Sequence, residues 1–110
     1  MLAMVERFDV YLVNLDPQPA GEAKNTRPCV VVSPDEMNRY IQTVIIAPLS
    51  SPTPRLYPTR VPISFLNNER SVVLDQIRTV DKERLVKKVG RIEGAEKAQI
   101  LKCLADMFAE

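Results

Sequence analysis

Three charged residues, Glu22, Lys24 and Arg27, lie just before an apolar run that begins at Cys29. Pro28 has no backbone N–H and a fixed φ, so it fits the first residue of a strand. The charged side chains are then expected in the loop at the rim of that strand. A guanidinium presents its donors as a planar fork that matches phosphate oxygens, and an ammonium adds positive charge. The segment therefore predicts a site for an anion such as a phosphate group.

The chain contains no histidine. This excludes Ser-His-Asp and Cys-His catalysis, and RNA cleavage by a pair of histidines as well. The two cysteines, Cys29 and Cys103, are far apart within apolar segments, which indicates core residues rather than a disulfide or a zinc site. Any catalysis must use Arg, Lys, Asp, Glu, Tyr, Ser or Thr, and we expect neither a metal nor another cofactor.

Length and composition predict one domain over residues 1–110, with 45% hydrophobic residues to form its core. The net charge of +1 favours no particular partner. Residues 78–91, however, hold six basic and two acidic side chains, a local net charge of +4. Such a patch can bind a polyanion, although acids nearby in space would be a simpler explanation of it.

No basic leader precedes an apolar segment at the N-terminus, and the longest apolar run, 44–49, is far shorter than a membrane span. We therefore expect a reduced, cytoplasmic protein.

Short alternating or β-branched segments predict several strands, followed by a helix that begins after Gly94. In that helix an apolar stripe, widened by Ile100 and Met107, is expected to pack on the sheet. A helical turn is also expected after Ser33, with Ser33 as its cap and Pro34 as its first residue. Together these elements predict an α+β, mainly β fold: a small antiparallel barrel covered by one helix. The strands are expected at 8–14, 29–33, 43–49, 59–65, 71–74 and 86–92. The apolar stripe of the helix comprises Ala98, Leu101, Leu104 and Phe108.

Five segments, in their order and spacing, resemble the MazF/PemK (Kid) family of toxin endoribonucleases, or mRNA interferases, along nearly the whole chain. They are Asp9–Pro17, Thr26–Pro34, Ile45–Ser51, Tyr57–Val61 and Leu74–Asp81. The resemblance implies a strongly bent SH3-like barrel with a C-terminal helix, assembled as a homodimer. It also implies metal-independent cleavage of single-stranded RNA at short sequence motifs, and a MazE-like antitoxin whose acidic tail fills the RNA groove.

Matching the family's motifs residue by residue assigns its catalytic arginine to Arg27 and its strand-ending hydroxyl to Ser50. The loop glutamate corresponds to Glu22 and the aspartate before Gln-Ile-Arg-Thr to Asp75. Polar residues in and beside these motifs are predicted to contact RNA: Lys24, Asn25, Ser51, Asp75, Gln76 and Arg78.

Five positions depart from the family pattern. Phe8 replaces the glycine of Gly-Asp, Ala20-Gly21-Glu22 replaces Gly-Ser-Glu, and Ser50 replaces the more frequent threonine. Val73 stands where the Kid branch carries a second catalytic arginine, which argues against the Kid mechanism here.

The expected reaction is in-line attack by the RNA's own 2′-OH, which yields a 2′,3′-cyclic phosphate and a 5′-OH. Arg27 would stabilise the phosphorane and Ser50 would bind a non-bridging oxygen. Glu22 is a better base than an arginine, which keeps its proton up to a pKa of about 12. Asp75 would hold Arg27 or Arg78 in place, or contact a base.

Two other functions remain open at this point. The altered first loop and Phe8 fit a non-catalytic or decayed toxin-fold binding module. A CcdB-like gyrase poison shares the fold, but that branch relies on a Trp-containing C-terminus, and this chain has no tryptophan.

Overall fold

The structure is a computed structural model that describes residues 4–15, 25–52 and 57–110. Within these ranges the chain forms seven strands, two α-helices and two short 3₁₀ turns. The strands are β1 (Asp9–Asn14), β2 (Thr26–Val31), β3 (Thr43–Ser50), β4 (Arg60–Phe65), β5 (Asn68–Val73), β6 (Arg78–Asp81) and β7 (Leu85–Arg91). The helices are α1 (Asp35–Tyr40) and α2 (Ala95–Phe108), and the turns are Leu74–Gln76 and Lys82–Arg84.

The described strands form one antiparallel sheet in the order β4-β5-β3-β2-β1-β7. Strand β3 changes partner along one edge: its first half pairs with β6 up to Ile46↔Arg78, and its end pairs with β5 at Ser50↔Ser71. The sheet therefore curls into a half-barrel whose two parts share β3. This confirms the predicted mainly β fold with a C-terminal helix.

Alternating side chains build a separate core on each face of the curled sheet. One core lies between β1–β3, the β4–β5 hairpin and α2, and the other lies between β1–β3, β6 and the start of β7. Val30 and Leu49 belong to the first core, whereas Cys29 and Ile46 belong to the second. Because both faces are covered, the central strands read as nearly continuous apolar runs.

Strand β2 begins earlier than predicted. It starts at Thr26, so Pro28 is its third residue and pairs with Leu12 of β1. The apolar pattern reports only buried positions, whereas pairing with β1 continues through the exposed Thr26 and Arg27. The prediction that Pro28 opens the strand is wrong, and Arg27 lies within a strand instead of the preceding loop.

The segment before α1 also differs from the prediction. Pro34 precedes the helix in an extended conformation, and no side chain caps the first turn. The Ser33 hydroxyl donates to Asn38 Oδ1 and accepts the backbone N–H of Ile45, at 3.0 Å. Ser33 therefore connects α1 to β3 by hydrogen bonds and does not cap the helix.

Helix α2 follows Gly94, whose φ of 71° only glycine adopts readily. Its predicted apolar stripe is partly wrong. Leu104 and Met107 pack against the core, but Leu101 and Phe108 remain 38% and 72% exposed. Ala98 is exposed, and the fully buried positions are Ile100 and Cys103. Helical spacing is compatible with the predicted stripe and with a stripe that contains Ile100 and Cys103. Packing of α2 against β4 buries the stripe that contains Ile100 and Cys103.

Phe8 adopts the left-handed conformation that glycine prefers, with a φ of 76°. Its backbone joins two elements, because its N–H donates to the Val31 carbonyl at 2.7 Å and its carbonyl accepts from Ile92 at 2.9 Å. Its ring is buried in the core beside α2. The fold thus accommodates this departure from the family's glycine: ring burial offsets a backbone conformation that is unfavourable for a side chain.

We expect Phe8→Gly to be more stable than Phe8→Ala, by about 1 kcal/mol, which reverses the usual order of these residues. Both variants lose the buried ring, at a cost of about 3–5 kcal/mol. Urea unfolding of the two variants beside the parent protein measures the difference. An alanine variant as stable as the glycine variant would contradict the strain assigned to residue 8.

Candidate functional site

Arg27 and Ser50 lie on neighbouring strands, each two residues beyond the last pair that β2 and β3 form. Strands β2 and β3 pair from Val31↔Ile46 to Cys29↔Pro48, and the same register continued by two residues sets Arg27 against Ser50. Directly opposed residues of antiparallel strands share a face of the sheet. The Arg27 side chain is exposed and Ser50 is half-buried, so both reach the surface at this edge of the site.

Arg78 joins the same face of the sheet. It pairs with Ile46 of β3. On that face of β3, Ile46 is followed by Pro48 and then by Ser50. Cys29 lies between the two arginines. Burial raises the pKa of the Cys29 thiol to about 12, while the positive charges of Arg27 and Arg78 act in the opposite direction. Arg27, Ser50 and Arg78 therefore share the face of the sheet on which the Cys29 thiol is buried.

A raised pKa makes Cys29 unreactive in the folded protein. The thiol is fully buried and donates a weak hydrogen bond to the Arg27 carbonyl oxygen, with Sγ at 3.5 Å. Compared with the ordinary cysteine pKa of 9.0, a pKa of about 12 lowers the thiolate fraction about a thousandfold at pH 8. We expect iodoacetamide to label Cys29 only after unfolding in urea, as read by peptide mass spectrometry. Rapid labelling of the native protein at this residue would contradict the assigned burial.

The basic patch predicted over residues 78–91 is largely neutralised where it meets β1. The fully buried Asp9 carboxylate binds Arg91 at 3.0 Å and Lys88 at 3.2 Å. Neither Arg27 nor Arg78 has a carboxylate within 4.0 Å in the part of the chain that the structure describes. These two arginines therefore offer positive charge for a ligand.

Asp75 does not hold either of those arginines. Its Oδ1 lies 3.3 Å from Arg60 Nε and accepts the Thr59 hydroxyl at 3.1 Å. Partial burial alone would raise the pKa of Asp75, but hydrogen bonds from Arg60, Thr59 and the backbone outweigh it and lower the pKa. The prediction that Asp75 positions Arg27 or Arg78 is wrong, because the 3₁₀ turn Leu74–Gln76 aims the carboxylate toward β4.

The other predicted residues are placed as follows. Asn25, Ser51 and Gln76 are exposed, and the Ser50 hydroxyl donates to the Ser51 carbonyl oxygen at 3.1 Å. Glu22 and Lys24 lie outside the described residues. Val73, at the Kid position of a second arginine, is buried.

Sequence reasoning assigned no role to Arg60, which connects Asp75 to Tyr57. Its guanidinium carbon lies 5.1 Å from the centroid of the Tyr57 ring. The available signal was a tyrosine three residues before an arginine that begins an alternating strand. Tyr11 is buried, whereas Tyr40 and Tyr57 are 79% and 43% exposed and do not belong to the core of the chain.

Among the described residues no helix is long and apolar enough to cross a membrane.

Comparison with known proteins finds a matching family and a similar protein. A family model described as PemK-like, MazF-like toxin of type II toxin–antitoxin system matches residues 6–108. The chain is 34% identical to Endoribonuclease MazF9 of Mycobacterium tuberculosis over an alignment of 106 residues, which covers 88% of this chain and 90% of that protein.

Two solved structures share the fold over most of the chain. The first, an endoribonuclease from a mycobacterial species, has a TM-score of 0.77 and 25% identity, with 96% of this chain and 91% of that chain covered. The second, a mycobacterial endoribonuclease in complex with its cognate antitoxin, has a TM-score of 0.76 and 24% identity, with coverages of 96% and 93%.

Proposed function

The chain belongs to the PemK-like, MazF-like toxins of type II toxin–antitoxin systems, and we propose that it cleaves single-stranded messenger RNA at the Arg27–Ser50 site. It is an endoribonuclease of that family. The assignment of the site is supported by the register of β2 and β3, which, continued by two residues, sets the exposed Arg27 opposite Ser50, and by Arg78 on the same face. Neither arginine has an ion-pair partner among the described residues.

In the proposed reaction the 2′-OH of the RNA attacks the adjacent phosphorus in line with the departing 5′-oxygen. Arg27 binds the phosphorane oxygens, because its donors match their geometry and its charge offsets the charge that develops there. Ser50 donates a hydrogen bond to a non-bridging oxygen. Arg27 donates a proton to the departing 5′-oxygen and regains one from solvent water. The products are a 2′,3′-cyclic phosphate and a 5′-OH, and no metal takes part.

Glu22 is the proposed base, since a carboxylate can accept the proton of the 2′-OH at neutral pH whereas an arginine cannot. Other polar residues are proposed to contact the RNA. Arg78 binds a neighbouring phosphate, because it lies on the same face and no described carboxylate pairs with it. The remaining contacts are Lys24, Asn25, Ser51, Gln76 and, through Arg60, Asp75.

We propose that the protein acts in the cytoplasm as a homodimer and that a MazE-like antitoxin neutralises it. The mycobacterial relative solved with its cognate antitoxin supports this partner. An acidic antitoxin segment would compete with RNA for the same two unpaired arginines.

Mapping of RNA fragment ends tests the function. Purified protein incubated with single-stranded RNA in EDTA should yield 5′-OH and cyclic phosphate ends at a recurring short motif. Intact RNA, with stabilised gyrase–DNA breaks in expressing cells, would favour the CcdB-like alternative. Intact RNA without growth arrest would favour a non-catalytic binding module.

A further inference from the structure

We propose that Tyr57 and Arg60 form a second RNA subsite, in which the Tyr57 ring stacks on one unpaired base and Arg60 binds an adjoining phosphate. This inference rests on the endoribonuclease function proposed above, and it assigns base selection to a residue pair that lies away from the cleavage site.

The Tyr57 ring is arranged to accept a flat ligand. The Arg60 guanidinium covers it at 5.1 Å from the centroid, yet the residue stays 43% exposed. An aromatic ring with a cation on one side and solvent on the other can stack a base on its open side. Stacking on aromatic side chains is a common way for proteins to hold splayed bases of single-stranded RNA.

Arg60 is fixed in a way that leaves its outer nitrogens available. Its Nε binds Asp75 Oδ1 at 3.3 Å, and its backbone N–H donates to the Tyr57 carbonyl at 3.1 Å. Thr59 donates its hydroxyl to the same Asp75 oxygen at 3.1 Å. Within the described chain no carboxylate lies against the two terminal nitrogens of Arg60. Asp75 is thus a positioning residue, and the terminal nitrogens can bind a phosphate.

The pair lies on the same face of the sheet as the cleavage site. Arg60 pairs with Val73, and its neighbour Val61 points into the core beside α2, so Arg60 points to the opposite face. That face is the one shared by Arg27 and Ser50. Strands β4 and β2 are three strand spacings apart, about 14 Å along the sheet.

The turn Leu74–Gln76 and Arg78 connect the two positions. The turn follows β5 directly, and Arg78 then pairs with β3 beside the cleavage site. Exposed polar residues therefore follow one another along the chain from Asp75, which binds Arg60, through Gln76 to Arg78, which shares a face with Arg27. An extended RNA strand that follows them reaches Tyr57 a few nucleotides from the scissile phosphate.

Photo-crosslinking provides a test that needs neither a variant nor cleavage. The intact protein is irradiated with single-stranded RNA that carries 5-iodouridine and 2′-O-methyl groups, and the crosslinked peptides are identified by mass spectrometry. We expect the main crosslink at Tyr57 and none at Tyr40, which is 79% exposed at the end of α1. Crosslinks at Tyr40 but not at Tyr57 would overturn the proposal, even if the protein cleaved no RNA.

Variant kinetics give the second test. Tyr57→Leu should raise KM about tenfold or more and relax the preferred base at one position of the cleavage motif, with kcat nearly unchanged. Tyr57→Phe should keep the parental values, because the ring alone stacks, and Tyr40→Leu serves as the matched control. A Tyr57→Leu enzyme with parental KM and an unchanged motif would refute the subsite, whereas Arg27 variants test the proposed function separately.

Discussion

Arg27→Ala is expected to lower the rate of RNA cleavage by at least about a hundredfold while the protein stays folded. A positioned donor to a developing oxyanion is worth about 10²–10³-fold in rate, and this arginine supplies both the donors and the charge. Its exposed side chain has no ion-pair partner among the described residues, so the fold loses little when it is removed.

Single-turnover cleavage of a fluorescent RNA in EDTA measures this effect. Arg27→Lys should give an intermediate rate, because it keeps the charge but not the planar fork. Arg39→Ala is the matched control: this exposed arginine lies on α1, and its guanidinium contacts the Met4 sulfur. An Arg27→Ala enzyme as fast as the Arg39→Ala enzyme would remove Arg27 from the mechanism.

Leu74→Ala is expected to lower the free energy of unfolding by about 2–5 kcal/mol. Leu74 is fully buried in the core beside α2, and its N–H donates to the Thr59 carbonyl at 3.0 Å. It thereby anchors the turn that carries Asp75 and Gln76, so RNA binding should weaken together with stability.

Urea unfolding of Leu74→Ala and Leu101→Ala compares two identical substitutions. Leu101 is 38% exposed on α2, and we expect its loss to cost less than about 1 kcal/mol. Equal destabilisation by the two variants would contradict the orientation of α2 and restore the stripe that the sequence predicted.

Secondary structure was largely predictable because each strand carries its own apolar pattern. The ends of the strands were less predictable. Thr26 and Arg27 extend β2 by pairing with β1, and no apolar residue marks that extension. The orientation of α2 was undetermined, since residues at helical spacing form two overlapping stripes and only packing against the sheet selects one. Phe8 gave no signal of its positive φ, because the strain depends on a backbone bridged to both Val31 and Ile92.

The candidate site was predictable where it follows strand register. Ser50 ends β3 as the resemblance implied, and the register then sets Arg27 against it. The partner of Asp75 could not be predicted, because Asp75 and Arg60 are 15 residues apart and meet only after β4 and β5 pair. Conservation of charge type in a motif does not specify which cation a carboxylate will meet.

The most direct test of the central claim is cleavage of one RNA oligonucleotide that carries a single 2′-deoxynucleotide on the 5′ side of the scissile phosphate. If the RNA supplies its own nucleophile and Arg27 with Ser50 stabilises the phosphorane, cleavage at that bond stops while other copies of the motif in the same strand are still cut. Continued cleavage at the deoxy-substituted bond would show that water or a side chain attacks instead, and would contradict the account.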